Sequence, residues 1–258
     1  MTPTTAGTSG LGWSPRPAFT RTPVPWNDPA AVDAAFAEWG DDIAAVITEP
    51  INVFGATAPA DGYLAHLRDV TTRHNSVLIF DEVVTGFRMQ PGSVASIVGV
   101  TPDLGTFAKG LGSGWAVAAV VGTNELFDGV ATDRVRLSGT YNGNAAAMAA
   151  VMATVAASAD GAVHRALNAW GATLRSALTE AAAAVGVSFT TEGYPTAFWS
   201  VFDDLDVVES AVRAEELGRL LWEERVITYH RTWLPSAAHD DDALAFTIEA
   251  FTRALARL

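Results

Sequence analysis

The chain has 258 residues, 16 Lys and Arg against 29 Asp and Glu for a formal charge of −13, an apolar share of 49% and no cysteine. That balance excludes nucleic acid and anionic membrane surfaces as partners, since both call for basic patches. Without cysteine there is no disulfide framework and no thiolate metal site, which fits a cytoplasmic protein.

In chain order, residues 1–27 are rich in Thr, Pro, Gly and Ser with scattered Trp13, Phe19 and Trp26, and read as an extended arm or linker. No basic segment followed by an apolar one marks a signal peptide. Asn27 or Asp28 before Pro29 starts a helix whose Val32, Phe36 and Trp39 share a face. Ile43–Thr48 is a strand ended by Glu49-Pro50, Gly62–Asn75 an amphipathic helix, and Val77–Phe80 an apolar strand of the kind buried on both faces. Strand, helix and strand in that order describe a parallel βαβ unit. Leu104–Ala108 and Ala116–Gly122 are two more strands, the latter also expected to be buried. A long Ala/Met/Val helix from Asn144 to Ser158 reads as core packing, and its apolar run is too short for a membrane span of roughly 20 residues.

Composition shifts at Ala159–Gly161, a candidate hinge. Beyond it the pattern gives a helix over 163–185, strands over 187–191 and 196–202, a helix over 209–224, a strand over 226–230 and a final helix over 241–257. The predicted organisation is an arm (1–27), a mostly parallel α/β domain with flanking helices (28–158) and a smaller α+β domain (159–258).

Two charged groups interrupt the apolar pattern. Asp81 falls at the carboxyl end of the strand from Val77, where ligands bind in open α/β sheets, and Lys109 follows the strand from Leu104. Lys109 is the only lysine among 16 basic residues. A primary amine can lose its proton and form a Schiff base with a carbonyl, and a guanidinium cannot. The alternative is a coding bias that left one lysine by chance. Glycines 110, 112 and 114 permit close approach of a ligand or of backbone. An acid and an amine on the ends of two strands suit pyridoxal 5'-phosphate, the acid pairing with the pyridinium nitrogen and the amine holding the aldehyde carbon.

Five motifs then come together: EPI (49–51), FDEVVTGFR (80–88), GVTPDL (99–104), AKGLGSG (108–114) and SGTYNGNAAAM (138–148). In order and spacing they resemble the class III aminotransferases, nearest the glutamate-1-semialdehyde aminomutase branch, from about Asn27 to the C-terminus. The resemblance implies a fold-type I pyridoxal-phosphate enzyme that transfers or migrates an amino group of a small amine or amino acid. It makes Lys109 the internal-aldimine lysine, which also moves the substrate proton, Asp81 the partner of the ring nitrogen, and Val83 the residue against the ring face. Gly139 and Thr140 become phosphate contacts, the threonine reaching the coenzyme of a neighbouring subunit and so implying a dimer.

Alternatives stand beside each assignment. Asp81 could cap a strand end, Val83 could be plain core, and SGTYNGN could be an ordinary capping loop. Glu82 reads as a structural hydrogen-bonding group. Asn52 matches an asparagine at the coenzyme's phenolic oxygen only in a segment one residue shorter than the family's. Arg88, Arg231 and Tyr229-His230 are candidates for a substrate carboxylate, with a solvated or salt-bridged surface role as the other reading. The five histidines show no ligand spacing, so no metal is expected, and His239 before three aspartates reads as a helix start.

The resemblance covers only the later three-fifths of the family. The phosphate-gripping Ser-Gly-Thr-type loop, the ring-stacking aromatic and the first strands of the sheet belong to its earlier part. Expected explanations are a split enzyme completed by a complementary N-terminal-half chain, a homo-oligomer that builds the site from two copies, or a non-catalytic partner or scaffolding subunit. The split enzyme is the favoured reading.

Overall fold

The structure, a computed structural model, describes residues 22–55 and 57–258. Trp13, Phe19 and most of the predicted arm lie outside the described residues. Contacts group the chain into two interleaved units. The first holds residues up to Pro50, Pro59–Gly86 and Ser93–Thr154; the second holds Ile51–Ala58, Phe87–Gly92 and Val155–Leu258.

The first unit is built on a four-stranded sheet: β1 (Ala45–Thr48), β2 (Val77–Glu82), β3 (Leu104–Phe107) and β4 (Ala119–Gly122), side by side in that order. The first three run parallel and β4 antiparallel to β3. Helix α1 (Pro29–Trp39) starts where the sequence indicates: Asp28 accepts from the Ala31 amide and Pro29 takes the first turn, where no N–H is needed. It ends at Gly40, whose φ of 47° suits glycine. Val32 and Phe36 are buried, but Trp39, expected on the same face, is exposed.

Helix α2 (Tyr63–Arg73) joins β1 to β2 and buries Leu64, Leu67 and Val70. Both helices pack on the face carrying Val46, Leu78 and Phe80. Full burial of each such side chain contributes about 1.5–3 kcal/mol.

The opposite face is open among the described residues. Burial alternates along β2 instead of covering both faces, contrary to the expectation from its apolar run. In register with Ile79 on that face lies Ile47, 63% exposed, and Val120, paired with Thr106, is 51% exposed. Val121 points to the other face and is 56% exposed. Consecutive strand residues face opposite ways, so β4 is uncovered on both sides, and the prediction of a buried strand is corrected. It is an edge strand over which no described residue packs deeply.

Two short helices were not anticipated, α3 (Ala95–Val98) and α4 (Asn124–Ala131). Helix α5 (Ala145–Ser158) occupies the predicted segment, but its role as core packing is also corrected: Ala147 and Ser158 are buried while Met152 is 72% exposed. Apolar all round, it has no single stripe to direct one side inward.

In the second unit, α6 (Ala162–Ala184), α7 (Val207–Glu223) and α8 (Asp241–Leu255) pack with an antiparallel sheet of β5 (Phe189–Tyr194), β6 (Ala197–Phe202) and β7 (Thr232–Trp233). Its core joins Leu174, Leu178, Phe189, Phe198, Leu217, Trp233 and Phe251. Asp240, next to His239, caps α8 by accepting from Ala243 N.

The strand predicted over 226–230 is not formed. Arg225 and His230 take left-handed backbone (φ 67° and 51°), the chain turns, and Thr232–Trp233 pair with β6 instead. No single helix among the described residues is long and apolar enough to cross a membrane.

Candidate active site

Asp81 and Glu82 are the last two residues of β2, and the alternation of the strand sends them to opposite faces. Asp81 lies on the open face, half-buried, in register with Thr106 of β3. Its Oδ1 accepts from Thr106 Oγ1 at 3.3 Å and from the Val83 amide at 3.1 Å. Those two bonds orient the carboxylate. Its Oδ2 accepts from no described group, which leaves one oxygen for a ligand's N–H.

Lys109 stands three residues past Thr106, so its backbone is within about 10 Å of that residue. It opens a 3-10 turn, Lys109–Gly112, directly after β3, with its side chain exposed and φ at 43°. A left-handed non-glycine residue costs on the order of 1–3 kcal/mol and persists where the surroundings over-determine it, a feature concentrated at functional sites. Leu111, buried, anchors the turn, and its amide bonds Ala108 O at 2.9 Å. Gly112 has a steric reason: a Cβ there would lie 2.5 Å from Val117 Cγ1.

Val83, half-buried, follows in the turn after β2 and contributes its amide to Asp81. Asp81, Val83 and Lys109 are thus gathered at the carboxyl ends of β2 and β3. Gly139 and Thr140, also in the first unit, lie in an exposed turn where Asn142 N bonds Gly139 O at 3.0 Å. The first amides of α5 are not open to an anion, because Asn144 Oδ1 accepts from Ala146 N and Ala147 N, each at 3.1 Å. A phosphate at Thr140 would be held by the loop.

The remaining candidates belong to the second unit. Arg88 donates to the carbonyls of Thr196 (3.0 Å) and Pro235 (3.1 Å), and burial lowers its pKa from the usual guanidinium range. It is half-buried and makes no ion pair among the described residues, and the solvated or salt-bridged surface reading is corrected. Arg231 donates to Gly55 O (3.2 Å), His230 Nδ1 pairs with Glu215 (3.1 Å), and the Tyr229 ring lies 4.4 Å from that of Phe54. Asn52 closes its own loop by accepting from Gly55 N at 2.7 Å. No group of three metal-ligating side chains occurs among the described residues.

Thr106 is the residue sequence reasoning passed over. Its signal was a hydroxyl three positions before the lysine, in the strand candidate that leads into it.

Pyridoxal phosphate asks for an acid at its ring nitrogen and an amine at its aldehyde. The oriented Asp81 carboxylate with its undonated Oδ2, followed on the neighbouring strand by the one lysine, fits that group.

The mostly parallel sheet thus carries an oriented acid at one strand end and an amine beyond the next. Residues 25–194 match the class III aminotransferases, and the chain belongs to that family. A glutamate-1-semialdehyde 2,1-aminomutase of Haloquadratum walsbyi is 35% identical over 90% of this chain and 61% of its own length. Among solved structures, the FumI protein of Sphingopyxis sp. MTA144 in its PLP internal aldimine form gives a TM-score of 0.79 at 26% identity, over 90% of this chain and 56% of that one. An omega-transaminase from Sphaerobacter thermophilus gives 0.79 at 25% identity, again over 90% and 56%. The fold is that of the fold-type I pyridoxal-phosphate transferases, and pyridoxal phosphate is the coenzyme that family and fold support. The chain spans about three-fifths of the length of the curated relatives it matches.

Proposed function

We propose that this chain carries the coenzyme-attaching part of a pyridoxal-phosphate enzyme that transfers or migrates the amino group of a small amine or amino acid. The observation that carries the reading is the oriented Asp81 carboxylate with Lys109 just past the register-paired strand. When bound, the coenzyme supplies an electron sink for the pair left on the carbon beside the substrate nitrogen. Asp81 would hold a proton on the ring nitrogen through Oδ2, and Val83 would pack on the ring. Lys109 Nζ would hold the aldehyde carbon and would move the substrate proton at the carbon beside the nitrogen. Gly139 and Thr140 serve a phosphate, the threonine that of a second subunit in a dimer.

The site is completed by further polypeptide, and we favour a complementary chain, as in a split enzyme of the cytoplasm. Among the described residues, the open sheet face with Ile47 and Val120 and the unpaired edge of β4 support this. An absorbance spectrum tests the reading: pyridoxal phosphate added to the purified protein gives a protein-bound band that borohydride bleaches, and Lys109→Ala does not. A scaffolding subunit gives no such band. Co-purification from the native host tests the second chain, which appears in stoichiometric amount and carries a Gly/Ser/Thr phosphate loop.

A further inference from the structure

Glu82 is fully buried, with 0% of its surface exposed, and no basic side chain answers it among the described residues. A carboxylate taken out of water costs several kcal/mol unless hydrogen bonds replace its hydration. Three do. Ser93 Oγ donates to Oε1, while Val94 N (2.7 Å) and Thr85 Oγ1 (3.5 Å) donate to Oε2. Its own carbonyl takes the Gly86 amide at 3.0 Å, and a Cβ on Gly86 would lie 2.5 Å from the ring of Phe107, the residue paired with Glu82 in β3. Residues 83–86 are therefore held from one side by Glu82 and from the other by Asp81, whose Oδ1 takes the Val83 amide.

We propose that Glu82 is a positioning residue for the coenzyme site: it fixes the turn that carries Val83, and through the Val83 amide it fixes the Asp81 carboxylate. Glu82 itself touches neither coenzyme nor substrate, because it faces away from Asp81. The proposal rests on the reading of Asp81 as the ring-nitrogen partner. Its own link, from Glu82 to the Val83 amide, is measurable without coenzyme.

Amide hydrogen exchange supplies the test, with Leu78 and Phe80 in the body of β2 as internal references. In Glu82→Ala, Val83 exchange is expected to accelerate about tenfold relative to those references, since three donors lose their acceptor. Glu82→Gln keeps an oxygen for Val94 and Thr85 and turns its amide toward Ser93 Oγ, so Val83 exchange returns to within about threefold of wild type. Val83 exchange that merely follows Leu78 and Phe80 in Glu82→Ala, or that is as fast in Glu82→Gln, overturns the proposal. If Glu82→Ala does not fold, Ser93→Ala decides: selective acceleration at Val83 supports the role, and an unchanged ratio overturns it. Failure of the wider reading shows separately, as a wild-type chain to which pyridoxal phosphate does not attach.

Discussion

Thr106 donates its hydroxyl to Asp81 Oδ1 across the β2–β3 pair at 3.3 Å, from the position directly in register with it. The bond turns an acid on an open sheet face into an oriented acceptor, and it ties that acceptor to the strand that leads into Lys109.

Replacing Thr106 by valine keeps the β-branched shape and removes the donor. Losing one long hydrogen bond at a half-buried site costs about 0.5–1.5 kcal/mol. If the bond orients Asp81 for the coenzyme, pyridoxal-phosphate affinity falls several-fold in Thr106→Val while the thermal midpoint moves little. Equilibrium titration with a parallel melting curve checks both.

Lys109 holds its left-handed backbone at a cost that glycine does not bear. Lys109→Gly is therefore expected to be more stable than Lys109→Ala by about 1 kcal/mol, although neither attaches the coenzyme. Denaturant unfolding of the two variants compares them. Equal stabilities would mean that the turn is not strained at this residue.

Burial raises the pKa of Glu82 above its ordinary value of about 4.5, with Ser93, Val94 and Thr85 pulling the other way. Between the unfolded and folded values the native state keeps a proton that the unfolded chain has lost, so stability falls as pH rises through that window. The difference in unfolding free energy between wild type and Glu82→Gln should be largest in favour of wild type below about pH 4.5. It should decline as pH rises through the raised value and then level off. A pH series of urea melts measures it, and a difference that grows with pH contradicts the assignment.

Gly171 sits in α6 where a Cβ would come 2.0 Å from the carbonyl oxygen of Pro195. Alanine is worth up to about 1 kcal/mol over glycine in a helix, but a backbone clash cannot be relieved by a rotamer change. Gly171→Ala is predicted to destabilise by about 1–3 kcal/mol, measurable as a drop in thermal midpoint.

Much of this was legible in the sequence because apolar periodicity reports the elements directly. The starts of α1 and α8 follow from Asp28-Pro29 and Asp240, and the parallel pairing of β1 with β2 follows from the βαβ pattern. What failed shares a cause. β4 and α5 are apolar enough to read as buried, yet burial needs something to cover them, and the described residues leave β4 and most of α5 uncovered. The strand misplaced at 226–230 has another origin: Arg225 and His230 adopt positive φ, which residue type does not announce. Asp81 and Lys109 stood out as charges at strand ends. The bonds that orient Asp81 and Glu82, from Thr106, Val83, Thr85, Ser93 and Val94, depend on a register and a turn that composition does not specify.

With a single lysine in the chain, the central claim reduces to where pyridoxal phosphate attaches. The protein is incubated with the coenzyme, reduced with borohydride, digested and read by mass spectrometry. The account predicts a reduced pyridoxyl group on the peptide containing Lys109, absent in Lys109→Ala and weakened in Asp81→Asn. Labelling confined to the α-amino group, or no fixation at all, would contradict it.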